Sequence, residues 1–308
     1  MLYANNLVDI YRYKGISALV KAVENKLQTK NYWLNALENK DVTYGYFESQ
    51  KFILFCVKNK KILDLYTYNN KLSKIKTFHV LTGLDGQKEK EGDLRTPIGV
   101  YKLKSFLTNI DSFYGPFAFA TNYPNIFDQI NNRDGHGIWI HGKPLDGKRD
   151  TNLTKGCIVL DNNDLEDLKE KINYQKTYLL ISEDKPLTAS KDEIASILAF
   201  LYKWRYAWKN NDFNKYKKFY DKNFKKSNGM DLKRFLNYKK RVFQNKKHQK
   251  VNIYFSNISI IPYQNINHDK IFYIDMNEKY LSDTYKYIGI KELYIHFTKS
   301  GIKIVAEK

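Results

Sequence analysis

Two side chains near the middle of the chain are of the types that perform nucleophilic catalysis. His141 lies near the end of the run Gly135-His-Gly-Ile-Trp-Ile-His-Gly142, and Cys157 lies in Thr154-Lys-Gly-Cys-Ile-Val-Leu160. A thiol of ordinary pKa is mostly protonated at neutral pH, and a nearby imidazole that takes its proton leaves a nucleophilic thiolate. Gly156 lets the backbone turn sharply before the sulfur, so we expect backbone N–H groups there to face a developing oxyanion.

Other interpretations of this pair are weaker. A metal site needs more ligands than His136, His141 and Cys157, so we expect no metal and no cofactor. The second cysteine, Cys56, lies in the apolar run Phe52–Val57 and is typical of an inert, buried thiol. Because a Cys and a His in one segment often have no joint role, the spacing alone gives only a hypothesis of catalysis.

A second stretch upstream makes the pattern more specific. It reads Gly92-Asp-Leu-Arg-Thr-Pro-Ile-Gly-Val-Tyr101, and we expect its Arg and Thr to hold a turn. With His141-Gly142 and the Thr-x-Gly-Cys run ending at Cys157, it resembles the L,D-transpeptidase catalytic domain, also called the YkuD domain. That family carries His-Gly, a loop, Ser/Thr-His-Gly-Cys, and Gly-Asp-x-Arg-Thr-Pro-x-Gly-x-Tyr. The resemblance covers about residues 45–183.

The chain departs from the family pattern at two positions beside the cysteine. Lys155 stands where the family usually has His, and Val159 stands where Arg is often found. These changes resemble the ε-proteobacterial branch of Helicobacter and Campylobacter, whose members are L,D-carboxypeptidases that set helical cell shape. That branch also carries an N-terminal helical segment and a C-terminal NTF2-like domain.

The resemblance implies a role for each residue of the motif. Cys157 would attack the carbonyl of the L-centre in the meso-diaminopimelate–D-Ala bond of a peptidoglycan tetrapeptide stem and form a thioester. His141 would act as general base and then as general acid, with the Gly142 carbonyl orienting its ring. Four further residues are expected to contact substrate: Trp139, Thr154, Lys155 and Gly156. For Trp139 a place in the core is an equal alternative.

Several functions stay open at this point. Water would resolve the thioester in a carboxypeptidase and an amine in a transpeptidase, so the motif does not separate the two, although Lys155 and Val159 favour trimming. A wall-binding scaffold with a vestigial enzyme domain is a third interpretation. The net charge of +19 suggests polyanions, yet Lys is spread along the whole chain and no nucleic-acid recognition motif occurs, so we expect no nucleic-acid partner.

The elements that must position the pair can be outlined from the hydrophobic periodicity. It predicts an amphipathic helix over residues 15–29, which packs on the core or forms a dimer contact, and a helix over 162–172 capped by Asn162 or Asn163. Strands alternate with turns through the middle of the chain. The predicted strands are 51–57, 62–67, 76–82, 100–107, 138–141 and 177–182.

The chain after Pro186 has a different pattern. Ser190 and Glu193 form a capping box ahead of a helix that runs to Trp208, and further helices are predicted over 212–224 and 231–243. Four strands finish the chain, at 251–261, 270–276, 291–297 and 301–306. Aromatic residues at helical spacing favour core packing, although this fold often has a cone-shaped pocket. They are Trp204, Trp208, Tyr216, Phe219 and Tyr220.

The predicted fold class is therefore α+β, with a mainly-β YkuD-type catalytic sandwich and an NTF2-like α+β domain. The expected divisions are 1–42 for a helical segment with a possible homodimer contact, 43–185 for the catalytic domain and 190–308 for the NTF2-like domain. No apolar run is long enough to span a membrane. The resemblance implies a periplasmic location, although residues 1–10 lack a secretory signal, which would have been removed.

Overall fold

The computed structural model describes residues 2–147, 152–265 and 269–308, with side chains from Leu7 onward. These residues form two sheets and the helices that pack on them. The helices are α1 (Leu2–Leu27), α2 (Lys30–Ala36), α3 (Ile126–Ile130), α4 (Asn162–Lys171), α5 (Lys191–Lys209), α6 (Phe213–Tyr216) and α7 (Leu232–Asn245). The strands are β1 (Tyr46–Phe47), β2 (Lys51–Val57), β3 (Ile62–Asn69), β4 (Lys71–His79), β5 (Gly99–Leu107), β6 (Ala118–Thr121), β7 (Trp139–His141), β8 (Ile158–Val159), β9 (Thr177–Ser182), β10 (Tyr220–Lys226), β11 (Asn252–Gln264), β12 (Lys270–Leu281), β13 (Lys286–Thr298) and β14 (Gly301–Glu307).

The first sheet has the strand order β4-β3-β2-β9-β5-β6-β7-β8 and carries the His141–Cys157 segment at its last two strands. The interior strand β2 pairs with β3 antiparallel and with β9 parallel. A strand covered on both faces is a nearly continuous apolar run, as Phe52–Val57 is. Cys56 lies in this run, and burial raises the pKa of its thiol to about 12. The prediction that Cys56 is buried is confirmed.

The second sheet has the order β1-β11-β12-β13-β14-β10, and helix α5 packs against it. The capping box predicted at the start of α5 is present, with Ser190 Oγ accepting from Glu193 N. The predicted aromatic core is also present, since Trp204 and Tyr216 are fully buried. Strand β1 pairs with β11, so the first strand of the segment predicted to be catalytic belongs to the second sheet. The α+β class is confirmed.

Helix α1 is longer than predicted. It runs from Leu2 to Leu27 and is kinked at Gly15, whose φ of 76° is a left-handed value that glycine adopts without strain. Its second half is tied to α5 by Glu24, which forms ion pairs with Arg205 and Lys209 at 2.6 and 2.9 Å. Among the described residues, no helix is both long and apolar enough to cross a membrane.

Two local predictions are wrong. Residues 212–224 form only the short helix α6, a 3-10 turn and then β10, because Tyr220 pairs with Ile304 of β14 and sheet pairing overrides the helical spacing. Helix α4 is preceded by Asp161 rather than capped by Asn162. The Asn162 side chain instead accepts a hydrogen bond from Lys143 N at 2.9 Å, which ties the start of α4 to the residue after Gly142.

Candidate active site

The relative position of His141 and Cys157 follows from the pairing of β7 with β8. These strands run parallel, with Ile140 beside Ile158 and His141 beside Val159. The same register places Cys157, the residue before β8, beside Trp139. The connection between the strands includes residues 148–151, which lie outside the described part of the chain. Both reactive side chains line one cavity of about 670 Å³.

The imidazole of His141 is held in one orientation by its own backbone neighbour. Its Nδ1 lies 2.7 Å from the Gly142 carbonyl oxygen, and His141 is 3% exposed. Because a carbonyl oxygen can only accept, Nδ1 carries the proton and Nε2 is the acceptor nitrogen of the neutral ring. The ring therefore presents its basic nitrogen on the side away from Gly142, as a general base requires.

Gly142 sits in a space that admits no side chain. A Cβ at this position would lie 2.1 Å from Asn162 Oδ1. The Gly142 N–H donates to the Tyr114 carbonyl oxygen at 3.0 Å, and the Tyr114 ring meets the His141 ring edge-on at 5.0 Å between centroids. The hydrogen bond to Tyr114 thus fixes the residue that orients the imidazole, and Asn162 leaves no room for a side chain there. Neither residue has a sequence signal that links it to His141, since both contacts arise from tertiary packing.

The Cys157 sulfur is partly exposed and has two backbone neighbours. The Trp139 N–H points at Sγ from 3.4 Å, and the thiol lies 3.3 Å from the Gly137 carbonyl oxygen, to which it donates. An N–H aimed at sulfur stabilises a thiolate, whereas the carbonyl accepts from the thiol form. The strand end therefore supplies groups suited to both protonation states of the sulfur.

The turn before Cys157 is built by Thr154 and Gly156. The Thr154 hydroxyl donates to the Cys157 carbonyl oxygen at 2.6 Å and accepts from Gly156 N at 3.1 Å. Gly156 has a φ of 121°, and a Cβ there would lie 2.8 Å from the Arg95 carbonyl oxygen, so only glycine fits. Among the backbone N–H groups around Cys157, that of Gly156 is therefore already used within the turn.

The remaining predicted contacts lie at the cavity, whereas the second departure from the family pattern does not. Trp139 and Lys155 line the cavity with Cys157, and Lys155 is exposed. Val159 is 1% exposed and lies in the core, bonded through its backbone to Leu81. Of the two departures from the family pattern, only Lys155 therefore faces the cavity. The exposed His136 also lines the cavity wall, 3.6 Å from Glu91.

The Gly92–Tyr101 stretch lies next to the turn that carries Gly156 and Cys157. Asp93 accepts hydrogen bonds from Lys88 Nζ and Glu89 N at 2.8 Å and from Arg95 N at 3.0 Å. Burial alone would raise the pKa of this carboxyl, but the Lys88 ammonium and the backbone N–H groups outweigh it and lower the pKa to about 2. The buried Thr96 accepts from Gly83 N at 2.8 Å, as expected of a residue that holds a turn.

A cavity in the second sheet is separate from this site. It measures about 580 Å³. On its wall the half-buried Lys239 ammonium lies 4.6 Å from the centroid of the Trp208 ring, and burial lowers its pKa to about 8. Lys291 is paired there with Glu307 at 2.6 Å. The pocket expected in this domain is therefore present, with a charged and aromatic lining.

The described residues contain no group of three His, Cys, Asp or Glu side chains arranged to hold a metal ion.

Comparison with protein families divides the chain into two matching parts. Residues 50–181 match the L,D-transpeptidase catalytic domain, YkuD, and residues 196–308 match the Cds6 C-terminal NTF2-like domain. Comparison with the curated proteins gives no match.

Solved structures resemble the chain over most of its length. The helical cell shape determining protein Pgp2 from Campylobacter jejuni is 39% identical, with a TM-score of 0.85 over 91% of this chain and 99% of that one. A point mutant of the same Campylobacter protein gives 39% and 0.86 over 92% and 99%. Bd1075 of Bdellovibrio bacteriovorus is 28% identical, with a TM-score of 0.68 over 87% of this chain and 97% of that one.

Proposed function

The chain belongs to the family that joins a YkuD L,D-transpeptidase catalytic domain to a C-terminal NTF2-like domain, and on that premise we propose that it is a peptidoglycan L,D-carboxypeptidase. Its substrate would be the tetrapeptide stem, and its products the tripeptide and D-Ala. The resemblance to Pgp2 supports a role in helical cell shape, and the substrate implies the periplasm as the place of action.

The observation that carries the proposal is the bond between His141 Nδ1 and the Gly142 carbonyl oxygen at 2.7 Å. It leaves Nε2 as the nitrogen that can take a proton, in the cavity that also contains the Cys157 thiol. A carbonyl oxygen here takes the place of the carboxylate in other triads, which suffices to fix the tautomer. The arrangement suits a thiol nucleophile with an imidazole base.

The reaction would then proceed in two balanced steps. His141 takes the proton of Cys157, and the sulfur attacks the carbonyl carbon of the L-centre of meso-diaminopimelate. The C–N bond to D-Ala breaks, and the departing amine receives the proton from His141. Water next attacks the thioester carbonyl carbon and gives a proton to His141. The C–S bond breaks, His141 returns that proton to the Cys157 sulfur, and the tripeptide leaves with a new carboxyl group.

The choice of water over an amine as the second nucleophile rests on Lys155. This exposed cation replaces the family's usual His at the cavity. Electrostatically, a lysine favours a carboxylate ligand, such as the C-terminus of a stem, over the ammonium of a second stem that a transpeptidase must bind. Transpeptidation is the second candidate, and it requires an acceptor stem to enter the same cavity.

The test is a digestion of purified tetrapeptide muropeptides, followed by chromatography and mass spectrometry. We expect tripeptides and an equal amount of D-Ala, with a Cys157→Ala protein as the inactive control. Accumulation of cross-linked dimers instead would establish the transpeptidase. If neither product forms and Cys157 fails to react with a thiol probe, the scaffold interpretation replaces both.

The homodimer predicted for the N-terminal segment stays a prediction. Helix α1 exposes several apolar side chains along its length. They are Val8, Tyr11, Tyr13, Ile16 and Val20. Light scattering on the eluted protein should give twice the chain mass, and Ile16→Glu should reduce it to one chain mass; a single chain mass for the unaltered protein would exclude the dimer.

A further inference from the structure

Three exposed apolar side chains line the catalytic cavity that contains Cys157. Leu94 is 41% exposed, Phe113 is 52% exposed and Leu153 is 43% exposed. Exposed apolar surface that continues into a cavity is a mark of a ligand-binding groove, whereas single exposed side chains are ordinary. The tetrapeptide stem offers methyl groups and charged side chains, but no broad apolar face that matches an aromatic ring. The stem alone therefore does not account for Phe113.

The turn that carries Phe113 holds this residue in place. The 3-10 turn Ser112–Tyr114 begins after Asp111, whose Oδ1 accepts from Phe113 N at 2.8 Å. At the other end of the turn, the Tyr114 carbonyl oxygen accepts from Gly142 N at 3.0 Å. Because the backbone is fixed at both ends, little ordering of the chain is needed when a ligand packs on the Phe113 ring.

A row of aromatic rings connects Phe113 with the nucleophile. The centroids of Phe113 and Tyr114 are 5.3 Å apart, and those of Tyr114 and Trp139 are 5.0 Å apart. Trp139 is next to the sulfur, since its N–H lies 3.4 Å from Cys157 Sγ. An extended chain spans about 3.5 Å per residue, so the three stem residues between the sugar and the cleaved bond span roughly 10 Å. This length matches the two ring spacings laid end to end, so a stem bound at Cys157 can reach Phe113 with its sugar.

On the premise of the proposed function, we propose that Phe113 forms a glycan subsite and binds the sugar that carries the stem. One face of a pyranose ring consists of C–H groups and can pack on an aromatic ring, while the hydroxyl and amide groups remain in water. This face is the broad apolar surface that the stem lacks. The enzyme therefore recognises a stem on its sugar better than a free stem.

Calorimetric titration of the full Cys157→Ala chain tests the subsite without relying on turnover. The two probes are the tetrapeptide attached to its N-acetylglucosamine–N-acetylmuramic acid disaccharide and the same tetrapeptide without sugar. We expect the disaccharide tetrapeptide to bind about tenfold more tightly or better. Equal affinities, or no binding of either probe at up to about 1 mM, would overturn the proposal. Failure of the proposed function is a separate result, because it is read from the release of D-Ala by the parent chain.

Substitutions of Phe113 in the Cys157→Ala chain locate the sugar contact. Phe113→Ala should bring the disaccharide tetrapeptide to the affinity of the free tetrapeptide, and so should Phe113→Leu, because leucine has no flat face. Phe113→Trp keeps a flat ring and should retain the preference, which separates loss of stacking from damage to the turn. Tyr254→Ala is the matched control, since it removes a ring that is also 52% exposed but lies on β11 of the second sheet. A preference for the sugar that survives in Phe113→Ala, or that Tyr254→Ala also abolishes, would overturn the proposal.

Discussion

The backbone N–H of Trp139 points at the sulfur of Cys157 from 3.4 Å. The parallel register of β7 and β8 sets these residues side by side, so the donor is fixed by the sheet and needs no side-chain ordering. A fixed N–H favours the thiolate over the thiol. Cys56, by contrast, lies in the core, and burial raises its pKa to about 12.

This contrast predicts selective alkylation. Iodoacetamide at neutral pH should modify Cys157 in the folded protein and leave Cys56 unmodified, because only a thiolate reacts and only Cys157 is accessible. Peptide mass spectrometry gives the site. In Cys157→Ala protein no label should appear until urea unfolds the chain. Equal labelling of both cysteines in folded protein would contradict the assignment of Cys157 as the activated thiol.

Gly142 has no room for a side chain, and this predicts that substitutions at Gly142 and Asn162 have non-additive effects on kcat/KM. Gly142→Ala places a Cβ 2.1 Å from Asn162 Oδ1, so the backbone that orients His141 must shift, and kcat/KM should fall by roughly a hundredfold. Asn162→Ala alone should cost little, because the Lys143 N–H it releases is exposed. The double variant should recover part of the loss, whereas simply additive effects would show that Asn162 is not the obstacle.

The hydrogen bonds of the Thr154 hydroxyl predict that its removal lowers kcat but leaves KM nearly unchanged. Thr154→Val removes the bonds to Gly156 N and to the Cys157 carbonyl, so it should lower the free energy of unfolding by about 1–3 kcal/mol and reduce kcat with KM nearly unchanged. Thr154→Ser keeps both bonds and serves as the matched control. A rise in KM with unchanged stability would instead mean that Thr154 contacts substrate.

The sequence predicts the reactive pair and the fold class because both depend on local patterns. His141 and Cys157 each sit in a short motif, and the periodicities of two and 3.6 residues indicate most strands and helices. The supports of the site are not local. Tyr114 and Asn162 reach Gly142 only through packing. The helix predicted over 212–224 is wrong for the same reason, because Tyr220 pairs with β14, a strand distant in sequence, and therefore lies in a strand.

The Val159 position shows a further limit of motif comparison. Val159 is one of the two departures from the family pattern, but its backbone bridges to Leu81 and its side chain is buried in the core. Lys155, two residues before Cys157, lines the cavity. Sequence distance from Cys157 is equal for the two, so only the sheet pairing reveals which one can contact a ligand in the cavity.

The Asp93 carboxylate predicts a pH-dependent contribution to stability. Its pKa is about 2 in the folded protein and about 3.9 in an unfolded chain. A lowered pKa stabilises the fold at pH values above about 3.9, and this contribution is lost as the pH falls towards 2. Asp93→Asn should therefore lower the free energy of unfolding by roughly 2 kcal/mol at pH 7, because the buried Lys88 also loses its ion pair.

Urea unfolding at a series of pH values measures this contribution. The difference between the parent and Asp93→Asn should stay constant from pH 7 to about 5 and shrink as the parent carboxylate is protonated below that range. Asp85→Asn, at an exposed position in the same loop, is the matched control and should show no such convergence. Curves for the parent and Asp93→Asn that stay parallel down to the lowest pH would show that the Asp93 charge does not stabilise the loop behind Cys157. The loop would then owe its conformation to the hydrogen bonds from Gly83 N to Thr96 and from Ile98 N to Gln87, which do not titrate.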